Sequence, residues 1–574
     1  MEVLMKKFRV LVVLLLVVSL SAVYGAKDNK ANLVSSTPDV TVLKFEVGSY
    51  NLTDVATPQG NAKSLYVPGA AKILLKGAPE VSKLTSAIVI PDQAKMKVEV
   101  VDSKFIEITD VTIAPSKGVI TRDVNPTTVP YEYGKEYQRD AFYPGNLAAL
   151  GNPYIARDLR GQAVSVNPFQ YNPVTNVLRV YTEITVKVSN TGQKGENILV
   201  RDNKSQLSQP EFRSIYDRHF INFTEDVNLQ YTPINDPLGN YLIVCYSDFM
   251  DEMADFVTWK ESIGYNVDLV NYSTIGSSEA LKTYVANYYS TNGLTYLLLV
   301  GDAEQIPSFK IRNYYADNSY GLIVGSDSYL DIFVGRFSAE TGADVTTQVE
   351  RTIHYERDVL PTAGFFSNAI GFGSSEGTGD DDEYDYEHID NIGADLTGYG
   401  YTYNPCHQAT GSPALMSSLI NAGAGTIFYC GHGYDLGWWT ASWEYNVGNV
   451  NALTNEYELP FIFTVACVVG KFKGQTCFSE AWQRATNNGN PTGAIANCGA
   501  TINQSWFSPM CAEDEMADIL VSGTKRTYGG VFVNGMFQMI DEYGSDGEKM
   551  AVSWVCFGDP SLQLRTPGTP NGPQ

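Results

Sequence analysis

Two segments carry groups able to do acyl-transfer chemistry. TIFYCGHG (426–433) runs to His432, and FIFTVACVVG (461–470) runs to Cys467. Each is a continuous apolar stretch that ends in a reactive residue. Such stretches, joined by helices, form the buried strands of parallel sheets. In those sheets reactive groups collect beyond the carboxyl ends of the strands. Two neighbouring strands would bring His432 and Cys467 to one rim. There an imidazole takes the thiol proton, or stands as imidazolium beside a thiolate. The glycines beside His432 let backbone approach closely. The amides of Gly433 and Cys467 can donate to an oxyanion. The residues alone also allow other readings: Cys467 as inert core filler or half of a disulfide, and His432 as a turn residue.

The elements that must position these groups follow from the pattern of the whole chain. From Tyr241 onward strand and helix signals alternate. YLIVCY and TYLLLVGD read as apolar strands, and SDFMDEMADFVTWKESIG as a helix capped by Ser247 and stopped at Gly264. The length predicts two consecutive α/β units with parallel-rich sheets, 231–360 and 361–566, the second carrying the Cys/His pair. Residues 26–230 differ: MKVEVVDSKFIEITDVTI and VLRVYTEITVKVSN alternate as strands, separated by turn signals such as VPGA and YPGN. They predict an all-β prodomain, a sandwich. The first 25 residues have a basic start (Lys6, Lys7, Arg9), an apolar run and small residues up to Gly25. That is the pattern of a secretory signal peptide, so a secreted or cell-surface location is expected. The tail 567–574 has linker composition.

The 574 residues carry a formal net charge of −24, and the sequence pI is near 4.6. A phosphate backbone wants a basic surface, so nucleic acid is excluded as a partner. Cationic substrates are favoured instead. The eight cysteines all lie from Cys245 onward. Export permits disulfides, but there is no CxxC zinc pattern. No later stretch reaches membrane-spanning length.

Two acidic stretches and one arginine complete the candidate list. GTGDDDEYDYEHID (377–390) reads as a solvated loop or as calcium ligands. In VGSDSYLDIFVGR, strand alternation puts Asp327, Tyr329 and Asp331 on one side. That suits either a solvated edge or Ca²⁺. By pattern alone Arg122 in GVITRDVNP is a surface arginine.

At the His-Gly and Ala-Cys strand ends the sequence resembles the caspase-like cysteine peptidases. It resembles the gingipain family more closely, and the Arg-specific gingipains most of all. TYLLLVGD, YGLIVGSDSY, LPFIFTVACV, ATINQSW and FGDPSLQLRT carry this likeness across 231–566, and YPGNLAALGNPYIARDLRGQAV carries it into the propeptide. The caspase-type QACRG box is absent. The resemblance implies a secreted cysteine endopeptidase zymogen of caspase-like fold acting on protein or peptide substrates with a basic P1 residue. Cys467 would be nucleophile, His432 general base and acid, Gly433 part of the oxyanion hole, and Glu376 the acid that orients His432. Asp385 would floor an arginine pocket, taking the guanidinium bidentately, with Trp506 covering it and Met510 lining it. Lysine is the runner-up P1 residue. On such a secreted peptidase the N-terminal β domain would be an inhibitory, folding-assisting propeptide, with Arg122 a candidate to fill its pocket. The resemblance further implies structural Ca²⁺ held by Asp302, Asp327 and Asp331 with oxygens of Val324 and Tyr329; Glu383 and His388 are further candidates.

Two departures from the family pattern stand out. NLQYTP offers Gln230 where the relatives mature after arginine, leaving Arg213 or Arg218 as self-cleavage sites, another protease, or no cut. Val468-Val469 and GKFKGQT border the active rim in altered form. The rival from another class is a catalytically silent, calcium-stabilised surface protein whose 36 tyrosines contact host or polymer.

Overall fold

The computed structural model describes residues 29–201, 205–224, 232–235, 238–311, 314–524 and 526–567. The signal segment 1–25, Gln230 and residues 568–574 lie outside them.

Residues 240–557 build one ten-stranded sheet. Its strands, in chain order, are β1 (Asn240–Cys245), β2 (Asn266–Asn271), β3 (Leu294–Val300), β4 (Phe333–Phe337), β5 (Asn368–Gly373), β6 (Thr402–Pro405), β7 (Thr426–Cys430), β8 (Phe461–Val465), β9 (Ala496–Ala500) and β10 (Trp554–Phe557). Their spatial order is β2-β1-β3-β4-β10-β9-β8-β7-β5-β6. All neighbours are parallel except β9 and β10. The two expected α/β units therefore share a single sheet, two parallel halves meeting at an antiparallel seam. The joint is made by β10, which comes late in the chain and pairs β4 on one side and β9 on the other.

The apolar runs form central strands because both faces are covered. Every residue of β1, β3, β7 and β8 is buried. Successive side chains alternate between layers. Phe461, Phe463 and Val465 join one core, Ile462 and Ala466 the opposite one. Only the outer strands β2 and β6 carry exposed positions at both ends or along one side. One helix begins later than the sequence suggests. Ser247 opens a 3₁₀ turn and its hydroxyl bonds Asp248 (3.1 Å), while the α-helix spans Ala254–Ser262.

The N-terminal region holds two five-stranded antiparallel sheets, as its alternation predicts. Phe45, Val164, Phe169 and Val186 share their core. A following helix, Pro210–His219, puts Phe212, Ile215 and Tyr216 into the core of the catalytic region. Tyr154 stacks on Tyr329 across the same interface at 3.6 Å. Arg213 and Arg218 both lie on that helix, and Arg218 pairs with Glu515 at 2.6 Å. A protease cleft takes extended chain, so a cut at either residue first requires this helix to unwind.

Candidate active site

β7 and β8 end level, with Cys430 opposite Val465. His432 and Cys467 each stand two residues past that pair. The backbone tightens there. A Cβ on Gly433 would sit 2.6 Å from the Cys467 carbonyl oxygen, so only glycine fits. Val468, directly after the cysteine, holds φ at +49°. For a β-branched residue that is strained backbone, of the kind functional sites retain at about 1–3 kcal/mol.

A prodomain segment crosses this rim like a substrate. Thr121 pairs antiparallel with Ser505. The Arg122 amide donates to Gln504 O (2.7 Å), and the Trp506 amide donates to Ile120 O (3.1 Å). The Trp506 indole donates to Val124 O at 3.0 Å. The Arg122 side chain enters a pocket and is completely buried. Its Nη1 donates to Asp385 Oδ1 at 2.7 Å, and its guanidinium lies 4.5 Å from the Trp506 ring.

Asp385 starts the helix Asp385–Tyr399 and is also fully buried. Its other oxygen accepts from Ser374 Oγ at 2.5 Å. Burial alone would raise its pKa. The Arg122 charge and the Ser374 and Cys430 donors outweigh that and hold it below the usual carboxylate range. The guanidinium contact is one-toothed, not the expected bidentate pair, and Oδ2 is taken by Ser374. Met510 is buried on the helix Ser508–Val521, its sulfur against Gly379.

His432 is tied at both ring nitrogens: Nε2 to Glu376 Oε2 at 2.9 Å, and Nδ1 to the Arg122 carbonyl oxygen at 2.5 Å. Glu376 is itself held by the Ala441 amide at 3.1 Å. Cys467 Sγ accepts from the Gln504 amide at 3.3 Å. Among the described residues no hydrogen bond joins Sγ to the imidazole, and none joins the Arg122 carbonyl to the amides of Gly433 or Cys467. Burial pushes the thiol up to about 11, although the Gln504 amide and the Arg122 charge both pull it down. All eight cysteines are free, so Cys467 is not half of a disulfide.

The acidic loop is not a solvated run. Asp381 accepts from the Gly69 amide at 3.0 Å, Lys72 pairs with Asp382, and Asp380 bonds Tyr543. It is a clamp on the prodomain. His388 lies buried between Glu513 (3.3 Å), Asp514 (3.4 Å) and Glu383 (3.5 Å). Burial would lower its pKa, but these carboxylates raise it well above the ordinary value.

The acids expected to hold calcium have these partners in the structure. Asp302 accepts from the Ala303 amide (2.5 Å) and lies 3.4 Å from Arg484. Asp331 is ringed by N–H donors: Arg157 (2.9 Å), Ile323 and Val324 (both 2.7 Å). Asp327 likewise accepts from Ile155 (2.9 Å), Asn197 (2.7 Å) and Tyr329 (3.0 Å). Val324 and Tyr329 give their amides to these carboxylates, and prodomain residues supply Ile155, Arg157 and Asn197. The carboxylates of Asp327 and Asp331 are oxygen donors of the kind a hard cation takes.

Sequence reasoning passed over Ser374, Cys430 and Gln504. Cys430 lies inside TIFYCGHG, Gln504 inside ATINQSW, and Ser374 stands two residues before Glu376.

A family model described as peptidase family C25 matches residues 235–565, and a C25 propeptide model matches 22–220. Gingipain R1 of Porphyromonas gingivalis is 41% identical over 556 residues, covering 94% of this chain and 55% of that protein. Gingipain R2 of the same species is 40% identical over 554 residues, covering 94% and 74%. The chain thus spans about half the length of the first of these relatives. Among solved structures, the complex of P. gingivalis RgpB pro- and mature domains is similar with TM-score 0.56 at 40% identity, covering 57% of this chain and 80% of that one. The Arg-specific cysteine proteinase gingipain R is similar at TM-score 0.56 and 39% identity, covering 58% and 81%.

Proposed function

The chain belongs to peptidase family C25, and from that membership we propose that it is the latent form of a secreted cysteine endopeptidase cleaving after arginine. The observation that carries this reading is Arg122. It lies in a closed pocket against Asp385 and Trp506, with its own carbonyl at the candidate histidine.

In the active form a substrate arginine takes the place of Arg122. His432 accepts the Cys467 proton, and the sulfur attacks the P1 carbonyl carbon. The carbonyl electrons move to oxygen, which the Gly433 and Cys467 amides receive. Collapse breaks the C–N bond as His432 returns its proton to the leaving amine. Water, deprotonated by His432, then hydrolyses the thioester and restores the thiol. Latency has three parts in this account. Arg122 fills the pocket, its carbonyl is turned to His432 and not to the oxyanion amides, and the buried thiol stays protonated. Secretion rests on the leader segment. Among the described residues no helix is long and apolar enough to cross a membrane.

The direct test offers arginyl and lysyl chromogenic substrates to the full chain after limited proteolysis, with and without a thiol alkylator. Arginyl turnover that alkylation abolishes is expected. Lysyl preference, or no turnover of either, overturns the reading.

Glu376 is a positioning residue in this scheme. Glu376→Gln keeps its shape but removes the charge opposite Nε2. We expect kcat to fall roughly 10²- to 10⁴-fold with KM nearly unchanged. A KM-dominated loss would assign Glu376 to substrate binding instead.

A further inference from the structure

We propose that Cys430 is a specificity-determining residue of the pocket, receiving the second guanidinium nitrogen and so separating arginine from lysine. The inference rests on the arginine reading above and deepens it.

Because Asp385 binds the guanidinium through one oxygen only, the carboxylate leaves Nη2 to other partners. Nη2 lies 3.2 Å from Cys430 Sγ and 3.5 Å from the Trp506 carbonyl. Cys430 Sγ is also 3.2 Å from Asp385 Oδ1. The thiol thus has two roles at once. Its S–H donates to the carboxylate, and its lone pair accepts from Nη2. The donation to Asp385 needs a protonated thiol. Burial drives the Cys430 pKa well above its usual value, against the lowering by Arg122, so the proton stays on sulfur.

Position supports the assignment. Cys430 is the last residue of β7 and fully buried, two residues before His432. The strand that delivers the imidazole to the scissile bond therefore delivers the sulfur to the far end of the P1 side chain. A lysine ammonium is one compact charge on a flexible stem. It can reach Asp385 but has no second nitrogen to place on sulfur while the first stays on Oδ1. Cys430 thereby adds a contact that only the forked cation completes.

The test compares wild type, Cys430→Ala, the better space-filling Cys430→Val and Cys430→Ser, each as the full chain after limited proteolysis. Competent sites are counted by titration with a thiol inhibitor. For Cys430→Ala and Cys430→Val we expect arginyl kcat/KM to fall about tenfold, mainly in KM. Lysyl kcat/KM should stay within about twofold, and Cys430→Ser should recover the arginyl preference. An unchanged arginyl-to-lysyl ratio in Cys430→Ala or Cys430→Val overturns the assignment. So does an equal loss on both substrates, which would mark Cys430 as mere packing. If wild type itself fails to prefer arginine, the parent reading falls; if only the variants fail to shift, this inference falls alone.

Discussion

Cys467→Ala in the full chain is expected to cut arginyl turnover on the order of 10⁴- to 10⁶-fold after limited proteolysis, with the fold intact. The size follows from the role: removing a nucleophile leaves only binding and the oxyanion donors. The intact fold follows from the site. The Cys467 side chain is small, and its sulfur accepts from the Gln504 amide. Its partner in the strained turn, Val468, is held by its own amide bond to Ile502 O at 3.2 Å. Turnover per active site and a thermal melt check both halves. Residual turnover above about 1% of wild type that a thiol alkylator still abolishes would move the nucleophile elsewhere, since a lost nucleophile costs far more.

Arg122→Ala carries the second large effect, on latency. Arg122 and Asp385 are both wholly buried and face each other at 2.7 Å. Truncating one partner of such a pair leaves a buried uncompensated charge, at a cost of about 3–5 kcal/mol. That corresponds to roughly 10²- to 5 × 10³-fold in the grip of the prodomain on the cleft. The same change frees His432 from the side-chain anchor that holds the Arg122 carbonyl at its Nδ1. The uncut Arg122→Ala chain should therefore show arginyl turnover that the uncut wild type lacks. Arg122→Lys, keeping charge but losing the fork, should fall between them. An Arg122→Ala chain as silent as wild type would mean that the clamp through Lys72 and Asp382 and the shared core at Phe212 and Tyr216 enforce latency without the pocket.

How much of this could be read beforehand differs from residue to residue. The strands that carry His432 and Cys467 are legible because continuous burial writes itself as continuous apolar sequence. The β-rich character of residues 26–230 is legible because one-sided burial writes itself as alternation. Asp385, Trp506 and Glu376 have no such local signature and came only from resemblance. The seam at β9–β10 was hidden because strand pairing between Cys498 and Cys556 joins distant segments that carry no pattern in common. Cys430 was hidden because its neighbours in sequence are core residues, and only packing turns its sulfur toward Arg122. The acidic loop misled because charge density predicts solvation, whereas here Lys72 and the Gly69 amide meet those carboxylates.

The late strand β10 bears on when the molecule becomes dangerous to its maker. It occupies the middle of the sheet, yet its residues 554–557 follow every other strand in the chain. A ribosome or translocon must release the chain through residue 557 before β4 and β9 acquire their common neighbour. Until then the half carrying His432 and Cys467 ends in an unpaired strand edge. In the proposed zymogen the sheet beneath His432 and Cys467 is therefore completed only after the segment carrying Arg122 has emerged.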